Sequence, residues 1–193
     1  MYLNLLVSAL AATALAAPLT KRGIPKTGES DTWHPVAGTE TTCDTSSGKS
    51  ISFMRGPQIE TVLDNACAAM MPRCAYSDRV PEGTFCAATI DWSLDGAKSS
   101  TQHANVVDSH GNSISGWDIK FDVTPAAQSK NSAGVRWRKE DCYGYFAHML
   151  QKSEPEGCHN GVASGVGSVK VGGNSTLAGT ELKVSIVHRE GSA

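Results

Sequence analysis

Residues 56–71 read GPQIETVLDNACAAMM. Ile59, Val62, Leu63, Ala66, Cys67 and Met70 recur at the i, i+3, i+4, i+7 spacing of one buried helical stripe. Glu60, Thr61, Asp64, Asn65 and Ala68 fall on the other side. Pro57 suits a first helical position, where its missing N–H costs nothing. Pro72 ends the helix, because proline disfavours helical geometry in the residue before it. The spacing therefore predicts a helix over 56–71, and the rest of the chain can be arranged around it.

Before it, Lys49 to Arg55 (KSISFMR) reads as a short strand with Ile51 and Phe53 on one face. After it, Pro72, Pro81 and Gly83 mark a loop through Cys74. Thr84 to Leu94 (TFCAATIDWSL) alternates with period two and is predicted to be the longest strand, with Cys86, Ala88, Ile90 and Trp92 facing inward. Residues 95–115 read as a long polar loop, interrupted by Val106-Val107, which is expected to make a short pairing. Gly116 to Thr124 (GWDIKFDVT) alternates again, with Trp117, Ile119, Phe121 and Val123 opposing Asp118, Lys120 and Asp122. Lys139 to Lys152 (KEDCYGYFAHMLQK) is the second helix, with Cys142, Tyr143, Phe146, Met149 and Leu150 as its stripe. Glu140 and Asp141 lie in its first turn and Lys152 in its last, as the helix dipole favours. Gly144 is a costly residue inside a helix and suggests a close approach to the sheet. Strands over 166–171 and 181–188 close the chain, the last with Leu182, Val184 and Ile186 inward.

The order strand, helix, strand, strand, helix, strand, with one extra short strand, is that of a split βαβ, ferredoxin-like α+β sandwich. Both helices are expected on one face of an antiparallel sheet. The first helix is expected against the strands containing Cys86 and Trp117.

At 193 residues the chain is expected to hold one domain. Residues 1–16, MYLNLLVSALAATALA, carry no charge, an apolar run from Leu5 to Ala12 and small residues before Ala17. They read as a secretory signal peptide, too short in its apolar run to cross a bilayer. Lys21-Arg22 then reads as the end of a short propeptide, 17–22, and resembles the dibasic site cut by kexin-type proteases of the fungal secretory pathway. Residues 23–48 read as an extended segment and 49–193 as the α+β domain. Removing Lys21 and Arg22 from the 17 basic residues leaves 15 against 19 acidic ones, a net charge near −4. That balance argues against nucleic acid or an anionic membrane as partner.

All six cysteines, Cys43, Cys67, Cys74, Cys86, Cys142 and Cys158, lie beyond the dibasic site. In an exported chain they read as three disulfides, with fifteen pairings open. Asn174-Ser175-Thr176 is an acceptor sequence for N-glycosylation in a turn-like stretch.

The export and processing residues Ala14 to Arg22, the run Asp64 to Cys67, the strand TFCAA at Thr84 to Ala88, and Asp141-Cys142 with Cys158 beyond it carry a resemblance. Together they resemble the small secreted cysteine-rich proteins of fungi, in particular the killer-toxin-like α/β sandwich and the necrosis-inducing extracellular effectors. The resemblance implies an extracellular protein that acts on a host or competitor, usually without a catalytic site. It carries over no functional residue.

Candidate chemistry is sparse. No histidine pair has zinc-helix spacing, and no G-x-S-x-G elbow or G-x-x-x-x-G-K-[ST] loop is present. No metal and no cofactor is therefore expected. His103 and His110 share a loop with Asp108, and the plainer reading is a solvated loop. His148, late in its helix, is expected to complement the dipole. Asp91 and Asp95, with Asp118 and Asp122 on the neighbouring strand, are expected on the sheet face away from the helices. Paired carboxylates there suit glycoside chemistry, although Lys120 would neutralise them. Arg136, Trp137 and Arg138, followed by Lys139, form a basic-aromatic patch that could hold a sugar ring or an acidic partner. The plainer reading of Trp137 is a plug ahead of the helix.

The expectation is a secreted, non-enzymatic effector or toxin-like interaction protein whose partner is an extracellular protein or a cell-wall polysaccharide. The alternative is a small carbohydrate-active enzyme or carbohydrate-binding protein. The interaction protein would use the loop 95–115 or the patch Arg136, Trp137, Arg138 and Lys139, and the carbohydrate protein Asp91, Asp95, Asp118 or Asp122; the binding candidates are Arg136, Trp137, Arg138, Asp91 and Asp118.

Overall fold

The computed structural model describes residues 33–129 and 132–189. The expected signal peptide, the expected processing site at Lys21-Arg22 and residues 23–32 of the expected extended segment lie outside the described residues.

The fold is α+β. A five-stranded antiparallel sheet carries the strands β1 (Glu40–Asp44), β4 (Lys98–Gln102), β6 (Trp117–Thr124), β8 (Val166–Lys170) and β9 (Glu181–His188) in the order β1-β8-β9-β6-β4. Two short pairs stand apart: β2 (Lys49–Ser52) with β5 (Asn105–Asp108), and β3 (Trp92–Ser93) with β7 (Arg136–Trp137). The helices are α1 (Ile59–Met70) and α2 (Lys139–Gln151). The central strands follow the alternation of their sequences. Ile119, Phe121 and Val123 of β6 and Leu182 and Val184 of β9 are buried, while their neighbours along each strand are more exposed.

The strand order explains the layering. β6, α2 and β8 form a split βαβ unit, with β9 lying between its two strands and antiparallel to both. In the N-terminal half, β1 lies at the far end of the sheet from β4, so the chain from β1 through α1 to β4 spans its full width. Phe146 of α2 meets Phe121 edge to face at 5.0 Å, which places α2 on the apolar side of the sheet. α1 packs against β4 and α2 and shares the same core, rather than resting on a strand that contains Cys86.

Three disulfides link these parts. Cys67–Cys142 joins α1 to α2 through two fully buried sulfurs. Cys43–Cys158 ties β1 to the segment ahead of β8. There Gly167 lets β1 approach, because a Cβ on it would strike the Thr42 carbonyl oxygen. Cys74–Cys86 closes a surface loop across 12 positions.

Several boundaries and placements differ from the sequence expectation. α1 begins at Ile59, with Gln58 as its cap residue, so Pro57 precedes the helix. Thr84 to Ile90 forms no strand: every residue is exposed, Phe85 fully and Ile90 by 79 %. Only Trp92–Ser93 pairs. Two physical reasons apply. Cys86 and Ala88, two of the expected inward positions, are small and gain little by burial. The Cys74–Cys86 bond also pins the segment beside the loop that follows α1. Its place next to β6 is taken by Lys98–Gln102, from the stretch expected to be a polar loop. Val106-Val107 does pair, with Ser50 and Ile51 of β2.

α2 is buried on two sides. Tyr145 and Ala147 are buried beside the expected stripe, while Tyr143 is only partly so. Trp33 covers this second side, edge-on to Tyr145 at 4.8 Å. Gly144 is what admits it: a Cβ there would collide with the indole ring. The close approach at Gly144 is thus to the N-terminal segment and not to the sheet.

Candidate functional site

β7 is two residues long, yet it orders a cleft of about 370 Å³. Arg136 and Trp137 alternate across it, so Arg136 is exposed while Trp137 is almost wholly buried. Trp137 is the plug of the plainer reading, and its indole N–H has no acceptor among the described residues. Opposite, β3 brings the segment that begins at Asp91. Arg136 donates from Nε and Nη2 to Asp91 Oδ1 at 3.1 and 2.7 Å, and from Nη2 to the Asp91 carbonyl at 3.2 Å. This contact holds the Asp91 carboxyl below the usual carboxylate range.

The start of α2 supplies the next wall. Arg138 caps the helix: its backbone N–H donates to Asp141 Oδ2 at 3.0 Å, and its guanidinium pairs with the same carboxylate. Trp33 donates from its indole N–H to Asp141 Oδ1 at 3.4 Å. Burial pushes the Tyr145 hydroxyl up, against the pull of its hydrogen bonds to Val36 and Thr39. The third wall is the turn after β8. Thr176 accepts from the Arg136 N–H and donates to the Arg136 carbonyl, both at 3.3 Å, so the acceptor sequence at Asn174 is anchored to β7 with Asn174 itself exposed.

Four of the five sequence candidates therefore line one cleft: Asp91, Arg136, Trp137 and Arg138. The fifth, Asp118, lies elsewhere. It accepts from Arg189 Nη2 at 2.8 Å and from Nε at 3.2 Å, and its Oδ1 is 3.1 Å from His103 Nδ1. The Arg189 hydrogen bonds hold it below the usual carboxylate range, with the His103 contact adding to them. The expected carboxylate cluster does not form, because Asp91 does not lie on the strand beside Asp118. Asp122 pairs with Lys120 at 3.0 Å, the neutralisation that the spacing foretold.

The histidine readings also resolve. Asp108 accepts from the backbone N–H groups of His110 and Asn112 and closes the turn between them. His103 turns to Asp118 instead. No group of three or more metal-binding side chains occurs among the described residues. His148 lies in the last turn of α2, where burial pushes its imidazole down and favours the neutral form. No helix among the described residues is long and apolar enough to cross a membrane.

Trp33, Tyr145, Asp141 and Thr176 were not legible as members of the cleft. The one signal for Trp33 was Gly144, a glycine in mid-helix with no turn to explain it. Searches of protein-family models, curated proteins and solved structures found no match to the chain.

Proposed function

We propose that this chain is a secreted, non-enzymatic interaction protein of the effector or toxin-like kind, which binds a neutral cell-wall polysaccharide through the cleft at β7. The observation that carries the reading is the convergence of Asp91, Arg136, Trp137 and Arg138, from two separate segments, on one cavity. Its charges are already paired within the protein, Arg136 with Asp91 and Arg138 with Asp141. A cleft so neutralised offers hydrogen-bonding groups in fixed directions and little net charge, which suits sugar hydroxyls better than an ion. Catalysis by these carboxylates is disfavoured for the same reason. A general acid needs a raised pKa, and both Asp91 and Asp118 are held low by arginines.

The test uses residues 23–193 secreted from yeast and incubated with chitin, β-glucan and plant-wall polymers. The expected result is binding to one polymer without sugar release, weakened about tenfold or more by Arg136→Ala. Sugar release, absence of binding to every polymer, or undiminished binding by the Arg136→Ala variant would each overturn the reading.

A further inference from the structure

A second cavity, of about 430 Å³, lies where the approach to α1, the β4–β5 junction and the start of β6 meet. It shares no lining residue with the cleft at β7. Pro57, Ala104 and Ile114 give it an apolar side, and Arg55, His103 and Arg189 give it a basic side. The charges are not balanced as they are at β7. Arg189 is matched by Asp118 and also donates to the Trp117 carbonyl. Arg55 is exposed and makes no hydrogen bond or ion pair with any described residue. The Trp117 ring already has His188 with its ring centre 3.7 Å away and Lys49 Nζ 4.3 Å from its centroid.

We propose that the cavity binds a small monocarboxylic acid with an apolar body. The carboxylate is held by Arg55 and the body packs against Pro57, Ala104 and Ile114. A guanidinium presents two parallel N–H groups that match a carboxylate. An apolar wall beside one such group is the usual make-up of a small-molecule site. The charge count selects a monoanion: Arg189 is already matched by Asp118, and the one uncompensated guanidinium of Arg55 neutralises one negative charge. The proposal does not depend on the polysaccharide reading.

The test titrates residues 23–193 at pH 7 with benzoate, hexanoate, benzyl alcohol and inorganic phosphate, read by amide chemical shifts. The expected result is saturable shifts at Arg55, Ala104 and Ile114 with benzoate or hexanoate. Benzyl alcohol, which lacks the charge, and phosphate, which lacks the apolar body, should bind at least tenfold more weakly. Arg55→Gln should weaken the acid about tenfold or more, and Arg55→Lys should weaken it less. Arg55 is exposed, so the amide spectrum of each variant should stay folded. Absence of saturable shifts with either acid, equal binding by Arg55→Gln, or phosphate binding as tightly as benzoate would overturn the proposal.

Discussion

The bridge between α1 and α2 and the bridge across the loop after α1 use the same chemistry in opposite settings. Cys67 and Cys142 are fully buried and join the two helices that cover the sheet. Cys74 is half-buried and Cys86 exposed, and they hold a loop in which Tyr76 is buried while Phe85 is wholly exposed. The first bond fastens elements that would pack in any case. The second restrains a segment that reaches the core only through Tyr76 and the partly buried Ala75, while Thr84 to Ile90 stays exposed. The difference separates the part of the molecule that sets stability from a part free to vary at little structural cost.

The largest effect should come from Cys67→Ala with Cys142→Ala. Closing a 75-residue separation restricts the unfolded chain by about 4.5 kcal/mol in the loop-entropy picture. Loss of the packed sulfurs adds to that. Urea unfolding should show a midpoint far below that of the parent, and a near-parental midpoint would erase the distinction between the two bridges. Cys74→Ala with Cys86→Ala should cost less. A 12-residue separation gives no more than about 3 kcal/mol, and the fold outside residues 73–91 should keep its amide pattern. Spreading of the shifts into the sheet would show that the loop braces the core. The smallest effect should come from Phe85→Ser, within about 0.5 kcal/mol of the parent by thermal unfolding. A larger loss would mean that Phe85 packs in solution.

The legibility of the chain follows the same division. α1, α2, β6 and β9 were readable because each has large apolar residues at one helical or strand period, and burial of those residues decides the local structure. Thr84 to Ile90 has the period with little mass: of its inward positions Cys86, Ala88 and Ile90 only Ile90 is large, and pattern cannot weigh how much area they would remove from water. β1 and β4 carry almost no apolar signal. They enter the sheet through backbone pairing with β8 and β6, which any side chain permits. At the cleft, Arg136, Trp137 and Arg138 stood out as a cluster of unusual residues. Asp91 was singled out for the wrong neighbour, since its partner Arg136 lies 45 positions away. Trp33 and Tyr145 could not be joined to them without the fold.

The polarity that conceals β4 from a hydrophobic pattern has a use of its own. β4 is one of the two outer strands of the sheet, so one row of its backbone groups is not matched within it. Such an edge invites strand addition from another molecule, the first step toward aggregation. Here the edge reads Lys-Ser-Ser-Thr-Gln, with Ser99 and Thr101 exposed and Lys98 half-buried. A lysine and a row of hydroxyls give an incoming strand little apolar surface to cover. β4 thus completes the sheet and guards it against self-association.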